Sequence, residues 1–295
     1  MKSIDMMLDV TLVTGLPGQT FVAATLHLPD GMDSRPSQLI FAIHGGGYSR
    51  IYWNPSFADE SYSFARWFTG QGKAVLAIDM LGMGDSSRPE PESSLSGAII
   101  AAAHAEALRQ VVAQWGDPVD VTGVGHSMGG MMIIAQGGAQ SAAHPAMDRV
   151  AVLGWANEPM VLGDTDVAAL QKGLPGSGYI ATPRPPMRKL FYGDDVPLAL
   201  IEADEAHAST TPVTLGRESL TPGIVHKAAA MIAVPVLVVQ SVIDTSPAPD
   251  KEPAYFSASP AVELQIVSAA AHCQNFAGTR EAHWQRLNDW IDRTS

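Results

Sequence analysis

The stretch that decides the fold is Gly125-His126-Ser127-Met128-Gly129. It follows the run 120–124, which is typical of a strand, and precedes the apolar run 131–135, which is typical of a helix. A serine in this position sits at the tip of a turn so tight that a Cβ two residues before or after it would clash. Glycines occupy both of those positions, so the stretch predicts a strand–turn–helix unit with an exposed serine hydroxyl.

This unit is the signature called a nucleophile elbow, and it predicts that Ser127 carries chemistry. The turn puts the backbone N–H of Met128 at a helix N-terminus, where negative charge is stabilised. A second set of donors is expected after the apolar run 39–43, where His44 is followed by a run of glycines. Backbone N–H groups of glycines can approach a substrate oxygen closely, because no side chain is in the way. We expect an oxyanion hole formed by Met128 together with Gly45 or Gly46.

An acid and a base follow the elbow in the chain order that this signature requires. Asp244 comes just after a long apolar run, and His272 follows the next one. Glu158 and Asp164 are alternative acids, because they follow the preceding predicted strand. Asp244 is favoured, since it leaves room for one more strand before the histidine. The predicted catalytic residues are therefore Ser127, Asp244 and His272.

Together these features resemble the α/β-hydrolase superfamily, in particular serine esterase-like members with a cap between the sixth and seventh strands. The resemblance implies an α/β fold with a mostly parallel eight-stranded sheet, helices on both faces and an inserted cap. It assigns residues 1–157 and 232–295 to the core and 158–231 to the cap, or lid. The stretch 79–86 is also similar to epoxide hydrolases and dehalogenases of this fold, but those enzymes use an aspartate at the elbow, and Ser127 excludes them.

Hydrophobic periodicity places the individual elements. Near-continuous apolar strands separated by helices favour a mostly parallel sheet that is covered on both faces. The predicted strands are 6–13, 19–28, 38–43, 74–78, 120–124, 149–154, 234–239 and 262–267. The predicted helices are 59–70, 94–114 and 279–293 in the core and 165–172, 195–206 and 222–231 in the insert.

The predicted reaction is hydrolysis of a carboxylic ester or lactone through an acyl-enzyme. The same three residues would also support thioester hydrolysis, carbon–carbon bond hydrolysis or acyl transfer, and the motif does not separate these activities. A ligand-sensing protein with vestigial catalysis on this scaffold is a further alternative, which the complete set of three residues disfavours.

Large apolar side chains near the glycine loop and in the insert predict a mainly apolar pocket for a small-molecule ester. The substrate-binding candidates are Tyr48, Trp53, Trp155, Met187 and Phe191. An alternative interpretation is that these side chains only pack the cap against the core.

Composition narrows the range of partners. The formal net charge of −12 argues against nucleic acid and anionic membrane surfaces, because both would repel the chain. No apolar run approaches the ~18 residues that a membrane helix needs, and no signal peptide is visible. The oligomeric state stays open, and a homodimer is one of the possibilities.

The sequence also allows predictions about metal ions, cofactors and the cellular compartment. No His, Asp and Glu spacing resembles a metal site, so neither a metal nor a cofactor is expected. The single cysteine, Cys273, follows the predicted base directly, and we interpret it as a packing residue. A chain without a disulfide suits a reducing compartment, so a cytoplasmic location is expected.

Overall fold

The computed structural model describes residues 1–32, 35–116, 118–141, 143 and 146–295. Its strands are β1 (Lys2–Asp9), β2 (Phe21–Leu28), β3 (Gln38–Ile43), β4 (Ala74–Ile78), β5 (Asp120–His126), β6 (Arg149–Leu153), β7 (Tyr179–Ala181), β8 (Thr210–Pro212), β9 (Val236–Ile243) and β10 (Val262–Ala271). Eight of them form one sheet in the order β1-β2-β4-β3-β5-β6-β9-β10, and β7 pairs with β8 in a separate small sheet.

Helices surround the sheet and make up much of the insert. The α-helices are α1 (Thr11–Thr14), α2 (Phe64–Gly70), α3 (Gly97–Ala113), α4 (Met128–Ala139), α5 (Val167–Gly173), α6 (Arg188–Phe191), α7 (Leu198–Ala206), α8 (Val213–Ser219), α9 (His226–Ala229) and α10 (Arg280–Thr294). Short 3₁₀ helices span Arg50–Trp53, Glu60–Tyr62, Glu92–Ser94, Pro185–Met187, Pro249–Tyr255 and Gln274–Phe276.

The strand directions confirm the mostly parallel sheet. β2 runs antiparallel to β1 and β4, and the other neighbouring pairs of the large sheet are parallel. In the register of the central strands, Ile43 at the end of β3 pairs with Gly125 near the end of β5. The glycine loop after β3 and the elbow after β5 therefore lie side by side at one edge of the sheet, where α/β proteins bind their ligands.

Both faces of the sheet are buried, which explains why its central strands are apolar throughout. One apolar layer lies against α3 and α4 and includes Ile100 and Ile133. The other lies against α2 and α10 and includes Phe68 and Trp284. Alternate residues of β4 enter the two layers, so nearly every position of that strand has to be apolar.

The structure differs from the predicted elements at the N-terminus and in the insert. The first predicted strand, 6–13, is wrong by four residues at each end, because β1 spans Lys2–Asp9. Thr11–Thr14 instead form a helical turn whose first N–H donates to the Asp9 carboxylate at 2.9 Å. In the insert, α7 and α9 fall within the predicted helices 195–206 and 222–231, and α5 overlaps the predicted helix 165–172 and ends one residue after it. The other helices and strands of the insert, α6, α8, β7 and β8, were not predicted, and α9 covers only four residues of the helix predicted over 222–231.

One buried carboxylate, that of Glu92, ties the insert to the core. It accepts hydrogen bonds from the Thr214 N–H at 2.7 Å, the Gly178 N–H at 3.0 Å and the Ser177 hydroxyl at 2.9 Å. Burial raises the pKa of this carboxyl, but the three donors outweigh burial, so its pKa lies below the ordinary value of 4.5. The charged form of Glu92 therefore stabilises the folded state.

We expect Glu92→Gln to lower the free energy of unfolding by about 1–3 kcal/mol at pH 7, because an amide cannot accept all of these bonds. The folded-state pKa of Glu92 is lowered, so its contribution is complete above the unfolded-state pKa and is lost as the pH falls through the folded-state value. The difference between wild type and variant should thus shrink below about pH 4.5. Urea unfolding at several pH values measures it.

The control for this prediction is the exposed neighbour Glu90, as Glu90→Gln. That variant should unfold like the wild type at pH 7. An equal loss in both variants, or a Glu92→Gln difference that does not change with pH, would contradict the role given to Glu92.

Candidate active site

Ser127 lies in the tight turn between β5 and α4. Its φ of 54° and ψ of −122° are unusual for a residue with a side chain, and such strain is concentrated at functional sites. A Cβ on Gly125 would lie 2.2 Å from the carbonyl oxygen of Gly129, and a Cβ on Gly129 would lie 2.2 Å from that of Ile43. Only glycine fits at either position, so the backbone takes the geometry that the motif predicts.

His272 and Asp244 form a buried pair. His272 Nδ1 lies 2.6 Å from Asp244 Oδ1, and the two side chains are 3% and 2% exposed. The carboxylate also accepts the N–H groups of Ser241 at 2.7 Å and Thr245 at 2.8 Å and the Gln274 amide at 3.2 Å. Because the carboxylate is held as an acceptor, the proton of a neutral His272 stays on Nδ1, and Nε2 is the basic nitrogen.

A glycine that the sequence analysis missed makes this pair possible. Gly154, directly after β6, has a φ of +64°, and a Cβ there would lie 2.9 Å from His272 Nδ1 and 3.3 Å from Asp244 Oδ1. Its only sequence signal is a glycine at the end of an apolar strand. The residue leaves room for the histidine and the carboxylate to meet.

His126, the second residue of the elbow stretch, also positions His272. Its Nε2–H donates to the backbone carbonyl of His272 at 2.9 Å, and the centres of the two rings are 4.7 Å apart. Burial lowers the pKa of His126 well below its ordinary value, so the ring is neutral. A neutral ring beside the predicted base adds no positive charge that would oppose protonation of His272.

The insert holds the loop that carries His272. The backbone N–H of His272 donates to the carbonyl of Leu190 at 3.0 Å, and that of Cys273 donates to the carbonyl of Phe191 at 2.9 Å. The Phe191 ring centre lies 5.4 Å from that of His272. Residues at the end of α6 therefore set the position of the histidine backbone.

The glycine loop after β3 is fixed from the core side. His44 Nδ1–H donates to the Gly45 carbonyl at 2.8 Å, while its Nε2 accepts the Met80 N–H at 3.1 Å. Burial lowers the pKa of His44, which fits a neutral ring that accepts at one nitrogen. Because the Gly45 carbonyl points into the core, the Gly46 N–H of the same planar peptide points the opposite way.

Ser127 and His272 open into one cavity of about 360 Å³. Fourteen of its twenty-one lining residues come from the insert, and none is Asp, Glu, Lys or Arg. The lining residues are Gly46, Ser127, Met128, Gly154, Trp155, Met160, Leu162, Leu170, Leu174, Ile180, Ala181, Thr182, Pro183, Met187, Phe191, Thr211, Gly216, Ser219, Leu220, Thr245 and His272. No hydrogen bond joins the side chains of Ser127 and His272 within the described residues, which is common in enzymes without substrate.

The structure places three of the five predicted pocket residues, Trp155, Met187 and Phe191, in the cavity wall. Tyr48 and Trp53 lie elsewhere, and neither lines this cavity. Both are buried: the Trp53 ring packs 4.8 Å from that of Phe64 in the core, and the Tyr48 hydroxyl donates to Asp204 of the insert at 2.8 Å. Gly45 does not line the cavity either, whereas Gly46 and Met128 do.

The alternative residues take other places. The Glu158 carboxylate accepts the Tyr255 hydroxyl at 2.9 Å, and Asp164 is exposed. A further histidine of the insert, His207, is exposed and stacks on Phe57, and neither residue lines the cavity. Burial raises the pKa of the Cys273 thiol, so this buried side chain is a poor nucleophile, as a packing role requires.

In the part of the chain that the structure describes, no three His, Cys, Asp or Glu side chains are grouped closely enough to hold a metal ion. Over the same residues, none of the helices combines the length and the apolar character that crossing a membrane requires.

Comparison with known proteins identifies the class. Residues 39–288 match the model of the alpha/beta hydrolase family, and the chain belongs to that family. The same fold occurs in a thermophilic esterase from Thermogutta terrifontis, which is 13% identical with a TM-score of 0.64 over 100% of this chain and 99% of that one. No match to this chain was found among the curated proteins.

Two further solved structures show how widely the fold is shared. A monoacylglycerol lipase from Paleococcus ferrophilus is 15% identical, with a TM-score of 0.65 over 94% of this chain and 100% of that one. Proline iminopeptidase from Mycobacterium smegmatis is 16% identical, with a TM-score of 0.65 over 99% of this chain and 98% of that one. At these identities the likeness shows the fold alone.

Proposed function

We propose that this protein is a serine hydrolase that cleaves a carboxylic ester or lactone of a mainly apolar small molecule. One observation carries the proposal. The strained serine Ser127 and the histidine His272 line the same apolar cavity, and a buried carboxylate, Asp244, holds that histidine in the tautomer that can accept a proton. This is the arrangement that activates a serine hydroxyl.

In the proposed reaction, Ser127 Oγ attacks the ester carbonyl while His272 Nε2 takes its proton. The tetrahedral oxyanion is stabilised by the N–H of Met128, which as the first residue of α4 has no acceptor within its helix. The Gly46 N–H is the second donor, because it faces away from the core and lines the cavity. His272 then protonates the departing alcohol, and water releases the acid from the acyl-enzyme.

The cavity wall indicates the substrate class. A volume of about 360 Å³ is at the small end of ligand pockets. The cavity wall is apolar and contains no Asp, Glu, Lys or Arg side chain. It therefore favours a neutral, largely hydrocarbon group around the scissile bond. We propose that residues 158–231 act as the cap that selects this group, on a core of 1–157 and 232–295.

A panel of p-nitrophenyl esters from acetate to octanoate, with lactones and thioesters beside them, tests the proposal. We expect steady turnover that continues beyond one equivalent of product per protein molecule. In a separate experiment, a fluorophosphonate should label the protein once, and mass spectrometry should place the label at Ser127. Product that stops at one equivalent would identify a vestigial enzyme. A transfer product that forms when an alcohol acceptor is added would identify an acyltransferase.

Met187 should influence which ester is preferred. It lines the cavity from the insert and is remote in sequence from the reacting groups. Met187→Ala should alter the ranking of acyl-chain lengths by about 1–3 kcal/mol in kcat/KM, the range for changed apolar contacts in a pocket. The rate on acetate should change little, because a short chain barely reaches the cap. Phe191→Ala should act in the same way, although its ring also contacts His272.

The matched control is Met231→Ala, at an insert methionine that is 55% exposed and does not line the cavity. It should leave the whole ranking unchanged. A uniform fall across all chain lengths in Met187→Ala would mean that Met187 only holds the cap in place.

A further inference from the structure

An arginine of the insert is buried beside the glycine loop. Arg184, between β7 and α6, is only 4% exposed. Its Nη2 donates to the backbone carbonyl of Gly47 at 2.6 Å. Arg184 does not line the cavity, so it takes no direct part in substrate contact there. A buried guanidinium on a backbone carbonyl is costly unless its charge is compensated.

The surroundings of Arg184 provide that compensation and set its orientation. Its Cζ lies 3.8 Å from the centre of the Tyr48 ring and 5.3 Å from that of Phe191. Its Nη1 lies 3.7 Å from Asp204 Oδ2, an oxygen that also accepts the hydroxyls of Tyr48, at 2.8 Å, and Tyr192. The stacking on the two rings and the charge of the nearby carboxylate orient the planar guanidinium, and among the described residues its hydrogen bond goes from Nη2 to Gly47.

The acceptor, Gly47, belongs to the glycine loop, and two other residues of the insert also bind it. The Gly47 N–H donates to Thr211 Oγ1 at 2.8 Å, and the Gly47 carbonyl accepts the Ser209 N–H at 2.9 Å besides Arg184. Gly47 has a φ of +67° and therefore a backbone that is flexible unless held. Its conformation thus depends on three residues of the insert.

Gly46 lies between two fixed points. On one side the core binds the Gly45 carbonyl through His44 Nδ1, and on the other the insert binds both polar groups of Gly47. The direction of the Gly46 N–H, the second oxyanion donor of the proposed function, depends on both. A donor contributes to the transition state only when it is aimed at the developing charge beforehand.

We propose that Arg184 is a positioning residue of the oxyanion loop: by binding the Gly47 carbonyl, it keeps the Gly46 N–H aimed at the cavity. The proposal rests on the proposed function. It makes the stabilisation of the transition state depend on an insert residue that never meets the substrate. The oxyanion hole is then complete only when the insert is docked on the core.

The test compares Arg184→Gln with Arg188→Gln, a control in the same segment whose arginine is partly exposed and pairs with Glu205 instead of Gly47. We expect Arg184→Gln to lower kcat by about 10- to 100-fold, with KM within about threefold, because an oxyanion donor is misaligned while ground-state contacts remain. The affinity for a trifluoromethyl ketone should fall by the same factor, since its hemiketal oxygen occupies the hole. Arg184→Lys, which keeps a charged donor, should recover part of both losses.

Asp204→Asn separates positioning from folding. It removes the compensating charge but leaves the donor to Gly47, so it should lower stability and affect kcat less than Arg184→Gln does. If Arg184→Gln does not fold, the double change Arg184→Met with Asp204→Asn leaves no unpaired buried charge and allows the same comparison. That double variant should show the same loss of kcat and inhibitor affinity as expected for Arg184→Gln.

Unchanged kcat and inhibitor affinity in the Arg184 variants would overturn the proposal. So would a loss of equal size in Arg188→Gln or in Asp204→Asn alone, because the cluster would then act only by holding the insert in place. Failure of the proposed function itself would be seen separately, as a wild-type protein that neither turns over esters nor reacts with the ketone.

Discussion

Ser127→Ala should reduce ester hydrolysis by at least ~10³, because loss of the nucleophile leaves only binding and the oxyanion donors. The fold should persist. Within the described residues the Ser127 side chain makes no hydrogen bond that supports the structure, and alanine fills the same space at the turn. Steady-state rates on p-nitrophenyl butyrate, with circular dichroism for folding, measure both effects.

A serine in the same cavity provides the control. Ser219 lines the wall and donates its hydroxyl to the Gly216 carbonyl at 2.8 Å. Ser219→Ala should retain activity within about tenfold, as expected for a residue outside the chemistry. If Ser127→Ala stays within that range too, the assignment of the nucleophile is wrong.

Asp244→Asn should lower kcat by about 10³–10⁴ without unfolding the protein. Backbone and side-chain N–H donors face both oxygens of this carboxylate. If the amide oxygen of the variant stays with Ser241, its NH₂ group faces His272 Nδ1 and drives the ring into the opposite tautomer. The proton then sits on Nε2, which can no longer accept one from the serine.

The two alternative acids provide the comparison for this prediction. Glu158→Gln and Asp164→Asn remove the two carboxylates that the sequence offers as alternatives to Asp244. In the structure the carboxylate beside His272 is that of Asp244. Both variants should retain near wild-type kcat. An Asp244→Asn enzyme that keeps more than about a tenth of the wild-type kcat would point to another acid.

Much of the fold could be predicted from the sequence, because its signals are local. The elbow depends on glycines two residues from Ser127, and the parallel sheet follows from apolar strands that alternate with helices. The register of β3 and β5 then brings the glycine loop to the elbow without further information. The prediction failed mainly in the insert, where α6, α8, β7 and β8 were missed.

The finer parts of the candidate site could not be predicted, because they depend on contacts between distant residues. Nothing in the local sequence distinguishes Tyr48 and Trp53, which are buried outside the cavity, from Trp155, which lines it. Gly154 is unremarkable until His272, more than a hundred positions later, is seen against it. Nothing in the sequence marks Arg184 as a functional residue, because its role depends on a contact with the distant Gly47 carbonyl.

The two backbone hydrogen bonds from His272 and Cys273 to the carbonyls of Leu190 and Phe191 bear on how such an enzyme can be engineered. If residues 158–231 act as proposed, exchanging the segment between β6 and β9 for that of a relative should change the selectivity. A graft that lacks carbonyls in these places would release the histidine loop, and it would lose rate along with selectivity. A transplantable module therefore has to keep the carbonyls of Leu190 and Phe191 in register with the recipient loop.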